Sequence, residues 1–480
     1  MNKRVAEKDK AGMAVKILIA FITGIYPLLL FEFDMGSVYI QSFILFLSVM
    51  GVLLYSFLLI RSNQWELQMP RSRLEIGILI LAAYSILRII GKMITATGVE
   101  AVYYDFEITV LSLAVIYFLI AARPGFQEWY FDGLLFSGLI VFALLLVKYL
   151  CGGGTDGALA ILLQDNSGIA SYTILVCMTG LWQYLRCEDK LRSIFYIGVL
   201  AMGFFVLFIN QNRVSIWLMV MVFIAIPVVQ RPTAELVKRD MQMFFLYLFM
   251  LCNMSLLSGY TKLLQVEVSY NLEQSVYLEL LIAIGGIFFF RFWDRIPEGV
   301  DLKRLVMRKM RRAYQFLLKL ISIIFVGILL GGERWKELPE KAGLKAVKGF
   351  AVPLVEEVRQ GESAFYRCFE AVGLLGGMMI LILCVLLAGK LRKAFGFDRP
   401  VTGMLVLISS LFLIQLFFWN VSINSLPVYW IFLVIAVSYK EEKVKVTSNK
   451  ISFREESKNE KSIIGHYVSF VSWGSGFHAG

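Results

Sequence analysis

Long apolar stretches alternate with short polar connections along most of the chain. About fourteen of these stretches are long enough to cross roughly 30 Å of hydrocarbon. Because backbone polar groups find no water partners in lipid, each stretch is predicted to be a helix. The spans centre on residues 14–31, 38–60, 74–94, 106–122, 131–150, 167–185, 193–210, 214–230, 241–259, 276–292, 314–330, 364–388, 402–419 and 424–439. The pattern therefore predicts an all-α, polytopic integral membrane helical bundle.

Composition excludes an ordinary soluble protein. The chain has 480 residues, of which 58% are hydrophobic and only 17% are charged, and its mean hydropathy is +0.71. A soluble fold of this length could not bury so much apolar surface. We expect a short N-terminal segment over residues 1–13, one membrane domain over residues 14–439, and a mobile tail over residues 440–480.

The distribution of Lys and Arg predicts how the bundle is oriented. If residues 1–13 are cytoplasmic and the spans alternate, most of the 47 basic residues fall on cytoplasmic connections, most densely over residues 291–312. Both termini are then cytoplasmic. The net charge of +11 is explained by anionic lipid of the inner leaflet, so no nucleic-acid partner is needed.

One long charged loop, residues 331–362, joins the eleventh and twelfth spans and falls on the outer side in this topology. It carries six basic and six acidic residues, whereas the other outer connections are shorter or poorer in charge. A loop of this kind is typical of a lid over a site that meets its substrate at the outer surface of the membrane.

Two arginines are candidates for binding a phosphate. Arg213 follows Asn210 and Asn212 at the start of the eighth span, and a guanidinium at a helix start suits phosphate oxygens. Arg334 and Trp335 begin the long outer loop. The alternatives are an arginine that reaches lipid headgroups and an interfacial pair of an aromatic residue and a cation.

Glu362 ends the outer loop at the start of the twelfth span. A carboxylate there can be a helix cap, or a general base if a low dielectric raises its pKa towards neutral. Arg367 and Glu370 follow at i,i+3 spacing, and we interpret them first as a neutralising pair and second as site residues. Arg88 in the third span has four candidate partners: Glu75, Glu100, Asp105 and Glu107.

The sequence predicts neither a metal site nor a cofactor. Six cysteines are scattered without Cys-x-x-Cys spacing, and both histidines, His466 and His478, lie in the tail. The membrane domain therefore offers no histidine as base or ligand.

Several short motifs follow one another in a recognisable order. Asn166 opens a middle span, Arg213 heads an apolar span, and Gly332-Glu333-Arg334-Trp335 precedes the long loop. The run ESAFYRCFEAVGLLGG follows the loop, and Leu426-Pro427-Val428-Tyr429-Trp430 lies in the last span. These motifs resemble the O-antigen ligase and polymerase family of membrane glycosyltransferases. With Gly373 and Gly376 in register, Glu362 falls on the family's histidine, and a carboxylate there favours a polymerase.

The resemblance implies a glycosyltransferase of the cytoplasmic membrane with its active site on the outer face. Its donor would be a glycan on a polyprenyl diphosphate, its acceptor a glycan hydroxyl, and its surroundings membrane lipid, with other polysaccharide assembly proteins as candidate partners. Glu362 would be the catalytic base, and Arg213 and Arg334 would bind the diphosphate. The supporting residues would be Asn166, Asn210, Asn212, Trp335, Arg367 and Glu370.

Two alternatives remain open. The same register resembles the peptidoglycan polymerases of the shape, elongation, division and sporulation family, with Glu362 on their catalytic aspartate, although their Pro-rich ending is absent. A flippase for lipid-linked sugars is an alternative from another class. We would expect repeated halves and a charged central cavity in a flippase, whereas this chain concentrates its outer charge in one late loop.

Overall fold

The computed structural model describes a set of helices. The described residues are 12–31, 37–61, 72–95, 105–122, 125–150, 166–209, 213–229, 234–260, 284, 286, 291, 364–395, 399–418 and 425–439. The first element, α1, is α-helical over residues 12–20, a π-helix over Phe21–Ile25 and a 3₁₀ helix over Tyr26–Phe31. The others are α2 Ser37–Arg61, α3 Arg73–Thr95, α4 Asp105–Ala122, α5 Trp129–Leu150, α6 Asn166–Arg186, α7 Lys190–Ile209, α8 Arg213–Val229, α9 Ala234–Tyr260, α10 Ala364–Ala394, α11 Pro400–Phe418 and α12 Leu426–Ser438.

The helical fold class is confirmed for the part of the chain that the structure describes, which contains no strand. A helix overlaps each of twelve predicted spans. Within the described ranges, four helices are long and apolar enough to cross a membrane, as expected of a helical membrane protein: Arg73–Ile94, Trp129–Val147, Lys190–Ile209 and Val372–Ala394. The spans near 276–292 and 314–330, the loop 331–362 and the tail 440–480 lie almost wholly outside the described residues. The number of spans and the sides of the termini stay predictions.

The core of the described bundle surrounds α6. Every described side chain of α6 from Gly168 to Leu185 is buried, and α5, α7, α8, α9 and α11 all pack against this helix. Two of its hydroxyls are satisfied within the helix, since Thr173 and Thr179 each donate to the backbone carbonyl four residues earlier, at 2.8 Å in both cases. A helix without an exposed face thus holds its neighbours in place.

Glycines set how closely the neighbours approach α6. A Cβ added to Gly138 of α5 would lie 2.5 Å from Cγ1 of Val176. A Cβ added to Gly203 of α7 would collide with Cys177 and lie 2.9 Å from Cε2 of Phe142. Helices in lipid associate through van der Waals contact rather than a hydrophobic driving force, so small residues at their interfaces are favoured.

Arg239 of α9 closes the C-terminal end of α6. Its Nη2 donates to the carbonyl of Cys187 at 2.9 Å, and its guanidinium carbon lies 4.9 Å from the centre of the Tyr184 ring. Arg186, the last residue of α6, contacts Oε1 of Glu128 at 3.1 Å. Cations at this end complement the partial negative charge of the helix C-terminus. Both contacts fix the end of α6 to its surroundings.

We predict that Gly203→Ala destabilises the bundle, because the new methyl group has no space between α6 and α5. Overpacking of this kind costs about 1–3 kcal/mol. Thermal unfolding of the purified protein in detergent, followed by tryptophan fluorescence, measures the effect. Gly198→Ala in the same helix is the control, since nothing lies within 4 Å of its added Cβ and alanine raises helix propensity. A Gly203→Ala protein as stable as wild type would contradict the close contact.

Candidate functional site

Most predicted site residues lie beyond the part of the chain that the structure describes. Glu362, Arg334, Trp335, Asn210 and Asn212 lie outside the described residues. The described backbone does include four others, whose side chains lie outside the description: Asn166, Arg213, Arg367 and Glu370. Asn166 is the first residue of α6 and Arg213 the first of α8, and α10 begins two residues after Glu362. The predicted residues therefore cluster at helix starts in the sequence, and their mutual geometry stays a prediction.

Helix α10 is broken at Gly373, which with Gly376 sets the register of the run that follows the outer loop. Its φ of 73° and ψ of 177° interrupt the helix, in a region of backbone conformation that is essentially restricted to glycine. The second glycine, Gly376, has no space for a side chain, because an added Cβ would lie 2.6 Å from Val372 and 2.9 Å from Tyr84. The backbone conformation thus requires glycine at position 373, and the lack of space for a side chain requires glycine at position 376.

Tyr84 of α3 satisfies the backbone at this break. Its hydroxyl donates to the carbonyl oxygen of Val372 at 2.8 Å. A carbonyl released from a helix in apolar surroundings needs a partner, because an unsatisfied one costs several kcal/mol in lipid. Sequence analysis missed Tyr84, since nothing in the sequence links it to a glycine 289 positions later. A tyrosine in a predicted span indicates a hydrogen bond to another helix only once the break in that helix is known.

Helix α3 runs antiparallel to α10 over much of its length. At the start of α3, Lys390 Nζ lies 3.0 Å from Ser72 Oγ and 3.9 Å from Glu75 Oε1. Ser72 and Glu75 also form a reciprocal capping box, with backbone–side-chain distances of 3.0 and 3.3 Å. Further along, a Cβ added to Gly77 would lie 2.8 Å from Leu383. Together with the Tyr84 hydrogen bond, these contacts hold α3 against α10.

A buried carboxylate with two cations lies between α3 and α4. Glu107 is fully buried, and its Oε1 lies 3.2 Å from Arg88 Nε and 2.8 Å from Lys92 Nζ. Among the four candidate partners for Arg88 the structure selects Glu107, and it adds Lys92, which sequence analysis missed. Glu107 Oε2 has no hydrogen-bond partner among the described residues. Ionisable groups within membrane helices are costly and for that reason commonly functional.

A second polar group supports the start of α6. Ser171 Oγ donates to Gln415 Oε1 at 2.8 Å, and the Tyr429 hydroxyl donates to the carbonyl of Ser171 at 2.9 Å. Phe412 stacks on the Tyr429 ring, with centroids 5.1 Å apart. The three polar residues are fully buried, so any of them left without a hydrogen-bond partner would be costly. Their hydrogen bonds fix α11 and α12 against α6. Asn166 begins the helix that these contacts hold.

Asp240 is a buried carboxylate at the other end of the bundle. It lies one residue before the predicted span 241–259, and its Oδ1 has no hydrogen-bond partner among the described residues. Burial raises the pKa of this carboxyl well above its ordinary value, which favours the neutral, protonated form. Sequence analysis missed Asp240, because a single Asp beside Arg239 in a charged connection carries no signal of burial.

Comparisons with known proteins give no match: no family model, no curated protein and no solved structure is similar to this chain. The family resemblance therefore depends on the motif residues alone. Among the described residues, no group of three or more His, Cys, Asp or Glu side chains could hold a metal ion.

We predict that Gly373→Ala destabilises α10 although open space surrounds its added Cβ. The cost, of order 1–3 kcal/mol, comes from a backbone conformation that alanine rarely adopts. Gly389→Ala in the same helix is the matched control, because it also has open space but no positive φ. Thermal unfolding in detergent compares the two variants. Equal stability would show that the break at Gly373 is not maintained.

Proposed function

We propose that this chain is a membrane glycosyltransferase of the O-antigen polymerase type, active at the outer face of the cytoplasmic membrane. It would transfer glycan from a polyprenyl diphosphate to the hydroxyl of an acceptor sugar, during synthesis of a cell-surface polysaccharide. Membrane lipid surrounds it in this proposal, and other polysaccharide assembly proteins are candidate partners. No cofactor is required by this chemistry.

The observation that carries the proposal is the physical need for both motif glycines. Gly373 has a conformation that favours glycine, and Gly376 lacks space for a Cβ. These two residues set the register that aligns Glu362 with the catalytic position of the family. Because each is required by the fold of α10, their spacing is a structural feature of this helix rather than a coincidence of composition. That supports the alignment of Glu362.

The reaction follows from the residue types at the proposed site. The acceptor hydroxyl would transfer its proton to Glu362 while its oxygen forms a bond to the anomeric carbon. The bond between that carbon and the diphosphate oxygen would break, and the polyprenyl diphosphate would leave. Arg213 and Arg334 would stabilise the charge that develops on the leaving diphosphate. The loop 331–362 would close over the substrate and exclude water, a competing nucleophile.

A transporter for lipid-linked sugars is the second candidate, and two observations favour it. Transporters commonly contain helices that are broken within the membrane, as α10 is broken at Gly373. Buried carboxylates such as Asp240 are also typical of proton-coupled transport. The transferase is preferred because the proposed base and arginines lie at one side of the predicted topology, whereas Asp240 lies at the other.

We predict that Glu362→Gln abolishes polymer formation while single lipid-linked repeats accumulate. Glutamine fills the same volume but cannot accept the acceptor's proton. Polymer length on a gel, from cells that express each variant at matched membrane levels, is the measurement. If Glu362 is only a helix cap, Gln costs about 1 kcal/mol or less and polymer length barely changes.

Glu340→Gln is the control for this experiment, because it removes the same charge from the same loop. Its polymer should have the length of the wild-type product. Wild-type polymer from Glu362→Gln as well would remove the base from the mechanism and favour the transporter.

We also predict that Arg213→Lys and Arg334→Lys each reduce polymer yield nearly as strongly as the alanine variants. A lysine keeps the charge but lacks the planar fork that binds a diphosphate in bidentate fashion. Yield is measured in the same gel assay, with Arg359→Lys as the control from the same loop. Normal yield from the first two variants would favour arginines that merely reach lipid headgroups.

A further inference from the structure

We infer that Tyr247 of α9 is a positioning residue for Arg213, because its side chain contacts both the end of α7 and the start of α8. The inference rests on the proposed function for the identity of the ligand, a lipid diphosphate bound by Arg213. Tyr247 would act through the first turn of α8 rather than by touching the ligand. Three observations lead to this role: the contacts of its ring, the hydrogen bond of its hydroxyl, and the packing of the surrounding helices.

The ring of Tyr247 packs against the last turns of α7. Its centroid lies 4.9 Å from that of Phe208 and 5.1 Å from that of Phe204. The two phenylalanines are spaced at i,i+4, so they lie on one face of α7, and Phe208 is the last residue but one of that helix. Tyr247 is 0% exposed, so close packing restricts its ring. The end of α7 is therefore held against α9.

The hydroxyl of Tyr247 reaches the first turn of α8. It donates to the carbonyl oxygen of Ile216 at 2.8 Å. Ile216 lies three residues after Arg213, which is about 4.5 Å along the axis of the helix, and the backbone between the two is continuous α-helix. A helical carbonyl oxygen has a second lone pair with which it can accept such a bond. The hydroxyl therefore contacts the same turn that carries the Arg213 side chain.

Helices α7 and α8 are placed relative to each other mainly by other helices. Among the described residues, the two have few contacts with each other, whereas both pack against α6 and α9. Only residues 210–212 separate the end of α7 from the start of α8. Tyr247 also contacts Phe223 further along α8, with ring centroids 5.6 Å apart. One side chain of α9 thus contacts both helices that flank this short connection.

The chemistry of a diphosphate makes the position of this turn important. A planar guanidinium binds two phosphate oxygens at once only when its plane is correctly oriented towards them. The first turn of a helix also has N–H groups without a partner inside the helix, and these can donate to the same anion. A displacement of about 1 Å would weaken both kinds of contact. A hydrogen bond to the carbonyl of Ile216 opposes such a displacement.

The experiment measures binding of farnesyl diphosphate by the full-length protein in phosphatidylcholine nanodiscs. Tyr247→Phe keeps the buried ring and removes only the hydroxyl that donates to Ile216. We expect its Kd to rise about 3-fold to 10-fold, the factor that corresponds to loss of one ordinary hydrogen bond. If Tyr247→Phe is too unstable to purify, Phe208→Leu tests the contact from the α7 side and should also raise the Kd.

A double-mutant cycle tests whether Tyr247 acts through Arg213. Arg213→Lys keeps the charge on a flexible stem with rotatable donors, so binding by the lysine depends little on the exact position of the turn. In that background we expect Tyr247→Phe to change the Kd less than about 2-fold. An equal rise in both backgrounds would show that Tyr247 acts on the fold as a whole and would overturn the inference. An unchanged Kd in Tyr247→Phe alone would overturn it as well.

The matched control is Tyr196→Phe. Tyr196 is a buried tyrosine of α7 whose hydroxyl donates to Asp132 Oδ1 of α5 at 3.0 Å, so this variant also removes a hydrogen bond between two helices. Tyr196 precedes Phe208 by about 18 Å along α7, and its variant should bind farnesyl diphosphate with the wild-type Kd. A rise equal to that of Tyr247→Phe would mean that any lost hydrogen bond weakens binding, which contradicts the inference.

Failure of the proposed function is distinguishable from failure of this inference. Binding is measured without turnover, so polymer from Glu362→Gln would overturn the mechanism and leave the coupling between Tyr247 and Arg213 standing. An inactive Glu362→Gln together with an additive cycle would make only the role of Tyr247 wrong. Wild-type affinity in Arg213→Lys, or no binding of farnesyl diphosphate by the wild-type protein, would overturn both the role of Arg213 and this inference.

Discussion

The described helices depend on close packing around α6, a helix with no exposed side from Gly168 to Leu185. In a bilayer, apolar side chains gain little free energy by moving from lipid into the protein interior. Close contact between helices and interior hydrogen bonds therefore decide which helices associate. Gly138 and Gly203 permit that contact on two sides. The Ser171–Gln415 and Tyr429–Ser171 hydrogen bonds tie α11 and α12 to the same helix. Close helix contacts at glycines and buried hydrogen bonds therefore stabilise the centre of the bundle together.

Helix α3, unlike α6, is not enclosed by other helices. It is largely exposed, and it contacts the bundle through the buried apolar residues Leu74 and Ile78 and through polar side chains: a capping box that meets Lys390, the hydroxyl of Tyr84, and two cations on Glu107. A helix bound this way is positioned along its whole length without being enclosed. One face of α3 is thus exposed, while Tyr84 on another face donates to the carbonyl next to the break in α10.

The fold class could be predicted from the sequence because apolar stretches of this length have only one backbone solution in lipid. The starts of α6 and α8, at Asn166 and Arg213, were likewise predictable from polar residues next to apolar runs. The partner of Arg88 could be narrowed only to four carboxylates, since spacing does not reveal which helices are neighbours.

The break at Gly373 and its partner Tyr84 were beyond reach of the sequence. Neither follows from local propensity, because a glycine in a transmembrane stretch is common and usually helical. The burial of Asp240 was hidden because it follows the charged residues Lys238 and Arg239, which are typical of an exposed connection. Contact between helices distant in sequence accounts for the omission of Tyr84.

The break in α10 also has a mechanical consequence. The helical segment from Ala364 to Val372 is about 13 Å long, at 1.5 Å of rise per residue, and it joins the rest of α10 at Gly373. A rotation of roughly 10° at that glycine moves the free end of the segment by about 2 Å, a displacement large enough to change a reaction rate by orders of magnitude. Because Tyr84 donates to the carbonyl of Val372 next to this glycine, its hydroxyl is one contact that fixes the angle between the two parts of α10. The position of the start of α10 therefore depends in part on a hydrogen bond made next to the break.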